Sequence, residues 1–368
     1  MIRVRPGEVV RATERHAGLV DLEVEVDGRI ERALAYPALT GPVVEGDRVA
    51  LNTTAVAGGL GTGGYHFVMA VLRPIDIDPS SGGHVMKLRY TPVQAQVRAV
   101  EEQGSPDHRR IAEAEGLDGL PVVWIPLHSM LAAVVAGARA AGAERIVYAM
   151  TDGGALPAWL SDHAARLRET GLLDAVVTCG QALGGDVEAV NVFSGLLAGA
   201  VVRRADVVVV GDGPGKVGTA TRWGASDVAS GMALNATAIL GGRPVAALRV
   251  NFADPRYRHH AVSPHSVTVL REVALVSVHV AVPALTDEER RRAVWGSLKA
   301  ARLEDRHQLV EVSGEPAVDL LRDRGISTET MGRSFEEEPT FFLAAGAAGV
   351  LAGRMAAGTA RWRREAGA

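Results

Sequence analysis

Seven Val- and Ile-rich runs, separated by stretches with helical spacing, follow one another from Leu120 onward. The runs are PVVWIP, RIVYAM, LDAVVTC, ADVVVVG, RPVAALRVNF, LVSVHVAV and QLVEVS. Continuous apolar strands that alternate with helices are typical of a parallel sheet covered on both faces. We therefore predict that residues 120–368 form an α/β domain with a doubly wound, mostly parallel sheet of about seven strands. A long helix near Glu337 to Glu365 closes this domain.

The first 75 residues predict a separate β-rich module. The stretch LVDLEVEVDGRIERALAY alternates apolar and polar residues around Asp27 and Gly28, which is a strong hairpin signal. Further strands are predicted at Arg48 to Thr54 and at Tyr65 to Arg73. Several short strands with tight turns indicate a small β barrel or sandwich over residues 1–75.

A connecting region is predicted over residues 76–119, between the β module and the α/β domain. Pro74 and the following DIDPSSGGH interrupt the strand pattern, as linkers do. Within this region we expect a helix from Pro92 to about Glu102.

Composition excludes several classes of protein. The chain has 368 residues, 47% of them apolar, and a net charge of -4 with no basic block, which argues against a nucleic-acid binder. Cys179 is the single cysteine, the first residues lack the apolar core of a signal peptide, and the longest apolar run ends before the ~20 residues of a membrane span. We expect a cytoplasmic protein without a membrane span. Composition leaves the oligomeric state open.

Small, polar and ionisable residues follow the predicted strands. In open parallel sheets, ligands bind beyond the carboxyl ends of the strands. The candidates at this edge are His128, Asp152, Gly153, Cys179, Gly180, Gly211, Gly213, Gly215, Lys216, Gly218 and Asn251. The turns at the opposite edge, AGAER, TGLLD and LGGRP, are typical of simple connections between a helix and a strand, so we expect the ligand site at the carboxyl edge.

The segment GDGPGKVGTATRWG, which begins at Gly211, reads as a glycine-rich turn at a helix N-terminus. Backbone N–H groups at such a turn bind anions, and Lys216 and Arg222 add positive charge. The GPGKVG part matches a dinucleotide fingerprint but begins late, and Val210 and Val217 break the Walker A pattern. The turn therefore predicts an anion site and leaves a nucleotide or dinucleotide cofactor open. The alternative is a turn that needs glycine for geometry alone.

Three strand-end residues are candidates for catalysis. His128 and Asp152 follow neighbouring strands and form a candidate acid–base pair. Cys179 is a nucleophile only if its pKa is lowered. The alternatives are a hydrogen-bonding structural histidine and a buried core cysteine.

The segment NFADPRYRHHAVSPHS concentrates basic and titratable residues before a helix. The residues are Asp254, Arg256, Arg258, His259, His260 and His265. Adjacent histidines point in different directions, so the spacing predicts no metal site. An anion clamp that includes Arg256 is the functional interpretation, and a solvated loop is the alternative. We expect Arg333, in the later segment TMGRSFEEEP, to reach the same cleft.

Five of these segments resemble a bacterial family defined only as a domain of unknown function, number 3866. The segments are LNTTAV, LGTGGYHF, GDGPGKVGTATRWG, FADPRYRH and TMGRSFEEEP. The resemblance extends over nearly the whole chain and implies no activity, because none is established for the family.

Two functions therefore stay open. One is an enzyme that acts on a phosphorylated or carboxylated metabolite or a nucleotide at the carboxyl edge of the sheet. The other is a non-catalytic metabolite-binding protein whose N-terminal β module contacts a partner.

Overall fold

The computed structural model describes residues 1–75, 82–254, 256 and 260–366, and it divides into two compact units. The first unit is Met1–Arg98 and the second is Ala99–Ala368. Of the predicted connecting region, residues 76–81 lie outside the described residues.

Five strands of the first unit form a closed barrel in the order β1-β2-β3-β5-β4. They are β1 (Val4–His16), β2 (Leu19–Val26), β3 (Arg29–Ala35), β4 (Arg48–Asn52) and β5 (Tyr65–Val71), with short helices α1 (Pro37–Thr40) and α2 (Thr54–Ala57) in the connections. Strand β2 buries Leu22, Val24 and Val26 and exposes the glutamates between them, which gives the barrel its apolar interior. Asp27 and Gly28 have φ angles of 49° and 74°, as a two-residue type I′ hairpin requires.

The segment that follows the barrel differs from its prediction. The expected helix from Pro92 to about Glu102 is wrong, because Ala95–Val97 (β7) pairs antiparallel with Val85–Lys87 (β6). A one-turn helix, α3 (His108–Ala112), occurs later. Each strand of this pair has only three residues, too few for sequence periodicity to identify.

The second unit contains an eight-stranded sheet in which every pair is parallel. The order is β11-β10-β9-β12-β8-β13-β16-β17. The strands are β8 (Pro121–Trp124), β9 (Ile146–Thr151), β10 (Ala175–Cys179), β11 (Val187–Ala189), β12 (Val207–Asp212), β13 (Arg243–Ala247), β16 (His279–Pro283) and β17 (Gln308–Val312). The predicted parallel sheet and the β barrel are confirmed. The eighth strand is the three-residue edge strand β11.

Helices cover both faces of the sheet, as continuous apolar strands require. One face packs against α4 (Leu131–Ala140), α5 (Asp162–Glu169), α11 (Glu315–Asp323) and α12 (Pro339–Ala366). The other packs against α6 (Val192–Leu197), α8 (Met232–Ile239) and α10 (Glu288–Ala300), while α7 (Ser226–Ser230) and α9 (Pro264–Thr268) lie in the connections around β13. Successive residues of a strand pack into the apolar cores on opposite faces of the sheet. In β8, Val123 belongs to the core under α4 and α12, and Trp124 belongs to the core under α6 and α8.

Smaller elements complete the second unit. Two antiparallel pairs are β14 (Val250–Asn251) with β15 (Ala261–Val262), and β18 (Glu329–Thr330) with β19 (Arg333–Ser334). Short 3₁₀ turns span His128–Met130, Ala158–Leu160 and Leu303–Asp305, and π-helical turns extend α6 at Ala198–Val202 and α9 at Val269–Val273.

The C-terminal helix α12 packs closely on α4. A Cβ atom added to Gly349 would overlap the carbonyl oxygen of Val134, so glycine lets the two backbones touch. By length and composition, Pro339–Gly358 is also apolar enough to cross a membrane, but 72% of this window is buried inside the protein. Such burial is typical of a core helix in a globular domain.

Strands β8 and β12 lie side by side, and their connections leave in opposite directions. From β8 the chain passes through α4 to β9, toward one edge of the sheet. From β12 it passes through α7 and α8 to β13, toward the other edge. Such a reversal opens a crevice at the carboxyl ends of the two strands.

Candidate functional site

A cavity of about 460 Å³ lies at this reversal, and we call it the switch-point cavity. Its lining consists of Leu127, His128, Ser129, His163, Pro214, Gly215, Lys216, Val217, Gly218, Ala220, Ala225, Asp227, Arg249, Arg256, His265 and Met331. Its volume falls within the roughly 300–1,000 Å³ of small-molecule sites.

Three strand ends supply the main polar side chains of the cavity. His128 stands in the 3₁₀ turn that follows β8, and Lys216 in the loop that follows β12. Arg249 lies two residues beyond the end of β13, and it is fixed there by the bond that Ser263 N donates to its carbonyl oxygen. Because these strands are parallel neighbours, their carboxyl ends bring the three side chains to one edge.

The glycine-rich segment is not followed directly by a helix, which corrects the predicted turn at a helix N-terminus. After β12 the chain forms a loop closed by an antiparallel bridge between Gly218 and Ala225, and α7 begins only at Ser226. Gly215 is the glycine of the loop that needs its conformational freedom, because its φ is 82°. Gly213 needs space instead: an added Cβ would lie 2.6 Å from the carbonyl oxygen of Ala155.

Lys216 forms a buried ion pair with the last residue of β12. Its Nζ atom lies 3.3 Å from Oδ2 of Asp212, and the two side chains are 9% and 1% exposed. The other oxygen of Asp212, Oδ1, accepts bonds from Thr151 Oγ1 (2.5 Å) and Gly153 N (3.2 Å). Burial lowers the pKa of Lys216 below its usual value, although the carboxylates of Asp212 and Asp227 oppose that effect.

Three arginines converge on one carboxylate beside the cavity. Arg256 binds Asp254 in bidentate fashion, with Nε 2.9 Å from Oδ1 and Nη2 2.7 Å from Oδ2. Arg249 and Arg333 place their Nη2 atoms 3.6 and 3.9 Å from the same Oδ2. One aspartate therefore faces three guanidinium groups, and the cluster keeps an excess of positive charge.

Several buried polar atoms near the cavity have no hydrogen-bond partner among the described residues. They include Nζ of Lys216, Nε of Arg249, Nε and Nη2 of Arg333, Oδ1 of Asn251 and Oγ of Ser263. Buried polar groups are normally bonded, so such a concentration needs an explanation. A bound ligand or ordered water supplies one.

His128 belongs to a directed chain of hydrogen bonds. The Tyr148 hydroxyl donates to the carbonyl oxygen of Asp212 (2.8 Å), so it accepts from Nδ1 of His128 (3.2 Å). Nε2 of His128 then accepts from Ser161 Oγ (2.8 Å), which in turn caps α5 by accepting from Ala164 N. Burial, reinforced by nearby His163, lowers the pKa of His128 to about 3. His128 is therefore neutral, with both ring nitrogens occupied.

Of the predicted site residues, His128, Gly215, Lys216, Gly218 and Arg256 line the switch-point cavity. Arg333 reaches the arginine cluster at its edge. Of the basic loop between Asp254 and His265, Arg258 and His259 lie outside the described residues.

Asp152 and Gly180 form a separate contact between the ends of β9 and β10, whereas Gly153 donates its N–H to Asp212 at the end of β12. Asp152 is exposed, and its Oδ2 accepts a bond from Gln181 N (2.8 Å). Gly180, with φ of 65°, passes so close to Asp152 that a Cβ would overlap the carboxylate. Neither Asp152 nor Gly180 is among the described residues that line the cavity.

The remaining predicted residues lie in other environments. Cys179 is buried in the apolar core, where its Sγ packs against Gly195 of α6. Gly211 is buried within β12, and Asn251 is buried in β14. Arg222 is half exposed and pairs with Glu272 on the surface.

Sequence reasoning missed three ionisable residues of the lining: His163, Asp227 and Arg249. Arg249 carried a signal, because an arginine stands inside the apolar run AALRVNF. His163 and Asp227 begin short helices and have no distinguishing sequence pattern. Within the described ranges, no cluster of three or more His, Cys, Asp or Glu residues is arranged to hold a metal ion.

Comparison with known proteins gives the chain a family but no activity. No curated protein matches it. The family model described as "Protein of unknown function (DUF3866)" matches residues 32–349, which include the sheet, the glycine-rich loop and the arginine cluster. The chain therefore belongs to the DUF3866 family.

Proposed function

We propose that the switch-point cavity binds a small anion, either a phosphorylated or carboxylated metabolite or a nucleotide. The observation that carries this proposal is the set of cations at one cavity: Lys216, Arg249 and Arg256 line it, and Asp227 is the one carboxylate among the lining residues that the structure describes. Nζ of Lys216 and Nε of Arg249 are buried without hydrogen-bond partners among those residues. An anion would supply acceptors for both.

The position of the cavity and its backbone add support. Open parallel sheets bind ligands at the reversal of strand order, which here lies between β8 and β12. The loop from Pro214 to Gly218 brings backbone and small residues to the lining, so a ligand can approach the main chain closely. Charge is supplied chiefly by the arginines, because Asp212 already offsets part of the charge of Lys216.

Titration calorimetry with inorganic phosphate, phosphosugars, dicarboxylates and nucleotides tests the proposal. Wild type should bind at least one of these classes, and Arg249→Gln should bind it more weakly. Arg109→Gln is the matched control, because Arg109 is exposed on α3, where it pairs with Glu113. If wild type gives no heat with any class at millimolar concentration, the proposal fails.

A non-catalytic, regulatory version of this function has its own support. Both nitrogens of His128 are occupied, Cys179 is in the core, and Asp152 is bonded to Gln181 away from the lining. These three catalytic candidates therefore do not meet at the cavity in the described structure. Mass spectrometry of the ligand after prolonged incubation separates the two versions, since a regulator returns its ligand unchanged and an enzyme does not.

A further inference from the structure

Lys216 is chemically unusual in this chain. Lysine supplies only 3 of the 39 basic residues, at positions 87, 216 and 299, and arginine supplies the rest. Arginine would hold an anion at least as well as lysine, and it binds in bidentate fashion. Arginine stays protonated in proteins, however, and only lysine can lose its proton and act as an amine.

The surroundings of Lys216 lower its pKa, although Asp212 and Asp227 oppose this effect. Its side chain is 9% exposed, and Nζ is buried without a hydrogen-bond partner in the described part of the chain. Arg249, a second cation at the same cavity, adds to the lowering of its pKa by burial. Desolvation and a neighbouring cation are the two conditions that activate a lysine as a nucleophile.

We propose that Lys216 is an amine nucleophile that forms an imine with the carbonyl carbon of an anionic oxo compound. The carboxylate or phosphate of that compound would be held by Arg249 and Arg256, so this inference rests on the anion site proposed above. The substrate class is thereby narrowed to 2-oxo acids and phosphorylated aldehydes or ketones.

The reaction needs no oxidant or metal. The ammonium of Lys216 passes one proton to the carboxylate of Asp212, whose Oδ2 lies 3.3 Å away. The free amine forms a C–N bond to the carbonyl carbon as the C=O π bond breaks, and the carbonyl oxygen takes up the proton that the amine nitrogen loses, which gives a neutral carbinolamine. The proton held by Asp212 then leaves with the hydroxyl as water, and the C=N double bond of a protonated imine forms.

Asp212 is held in place for this exchange. Thr151 and Gly153 fix its Oδ1 atom, while Oδ2 is buried without a hydrogen-bond partner among the described residues. That oxygen lies 3.3 Å from Nζ, so it can receive the proton and later return it. Arg249 cannot take part in the proton exchange, because a guanidinium does not deprotonate.

Reductive trapping tests the inference on the full-length protein. The probes are pyruvate, glyoxylate and pyridoxal 5′-phosphate with sodium cyanoborohydride, and their neutral counterparts are acetone and pyridoxal. Peptide mass mapping then locates the secondary amine. The exposed Lys299 on α10 is the internal control. We expect Lys216 to be labelled at least about tenfold faster than Lys299, because the proposed anion site holds the probe beside its amine and burial lowers the pKa of Lys216.

Two further experiments separate the charge of residue 216 from its reactivity as a nucleophile. The variant Lys216→Arg keeps a cation beside Asp212, so it should still bind phosphate in the calorimeter while losing the label at position 216. Millimolar phosphate should slow the labelling of Lys216 by the anionic probes and leave the labelling of Lys299 unchanged.

The possible failures are distinguishable. If phosphate binds but no probe is reduced onto Lys216, or if Lys216 and Lys299 are labelled at equal rates, the imine inference is wrong and the anion site stands. If acetone labels Lys216 as fast as pyruvate and no anion gives a calorimetric signal, both the anion site and the proposed substrate class are wrong.

Discussion

Nζ of Lys216 and Oδ2 of Asp212 lie 3.3 Å apart in a buried ion pair at the carboxyl end of the central strand β12. Breaking such a pair from one side leaves the other charge buried without compensation. We predict that Lys216→Met lowers the free energy of unfolding by about 3 kcal/mol. Urea denaturation measures this, and Lys299→Met on the surface should change it by less than about 0.5 kcal/mol.

The Lys216–Asp212 pair also predicts that the effects of two single substitutions on the free energy of unfolding are not additive. The double variant Lys216→Met with Asp212→Asn removes both charges, so it should be more stable than the sum of the single variants indicates, by about 1 kcal/mol or more. Strict additivity of the three free energies would show that the two side chains do not interact.

His128 predicts a specific loss of stability in acid. Its pKa is about 3 in the folded protein and 6.5 in the reference state, so the unfolded chain binds more protons between these values. The contribution of His128 is complete above pH 6.5 and is lost as the pH falls toward 3, and it amounts to at most about 5 kcal/mol. His128→Gln should flatten the pH dependence of unfolding in this window. Equal slopes for the two proteins would contradict the assignment.

Two glycines of the loop after β12 should respond differently to the same substitution. A Cβ at Gly213 would meet the carbonyl oxygen of Ala155, whereas a Cβ at Gly218 would meet nothing within 4 Å. We predict that Gly213→Ala costs about 2 kcal/mol of stability. Gly218→Ala should stay within about 0.5 kcal/mol of wild type. Thermal unfolding of both variants without ligand is the measurement. If Gly213→Ala is as stable as wild type, the expected clash with the carbonyl oxygen of Ala155 is wrong.

The position of Arg249 predicts how strongly two substitutions weaken anion binding. Removing one charge-assisted hydrogen bond costs about 1.5–3 kcal/mol, so Arg249→Gln should weaken binding at least tenfold. Arg249→Lys should recover part of the loss, because it restores the charge but not the guanidinium geometry. Titration calorimetry with both variants checks these two statements. Unchanged affinity in Arg249→Gln would locate the anion elsewhere.

Helix glycines give a further matched pair. Gly349 of α12 touches the backbone of α4 at Val134, while Gly296 of α10 has open space around its Cβ position. Gly349→Ala should destabilise the protein by about 1–3 kcal/mol through overpacking. Gly296→Ala should stabilise it by about 0.5–1 kcal/mol through helix propensity. If both substitutions change the stability in the same direction, the close contact of α12 with α4 is contradicted.

The sheet was predictable because its strands are buried on both faces. Runs such as VVVV and VVWI are long enough and apolar enough to identify strands without any knowledge of their neighbours. The three-residue strand β11 was not predicted, because its Val187 and Ala189 flank a glutamate and its ladder depends on β10. Strand order was not predicted either, since it depends on which helices cover which face.

The site was predictable only where strand ends determine it. His128 and Lys216 follow apolar runs directly, so their place at the carboxyl edge could be read from the sequence. Arg249 could not be assigned, because the chain leaves the sheet after Ala247 and turns within what reads as one continuous strand. The loop after β12 was expected to begin a helix, but its Gly218–Ala225 bridge depends on contacts between residues seven apart, which local propensity does not encode.

The close contact of α12 with α4 has a consequence for how the protein is made. Helix α12 follows every strand of the parallel sheet along the chain, yet it packs against β8, the first of these strands, as well as against β13 and β16. During synthesis, the apolar strand surface that α12 covers therefore remains exposed until α12 leaves the ribosome. Contacts between such distant parts of a chain form slowly, and exposed apolar surface promotes aggregation in the meantime. The second unit thus completes this core only after α12 has emerged, and a nascent chain released earlier would expose the strand surface that α12 covers.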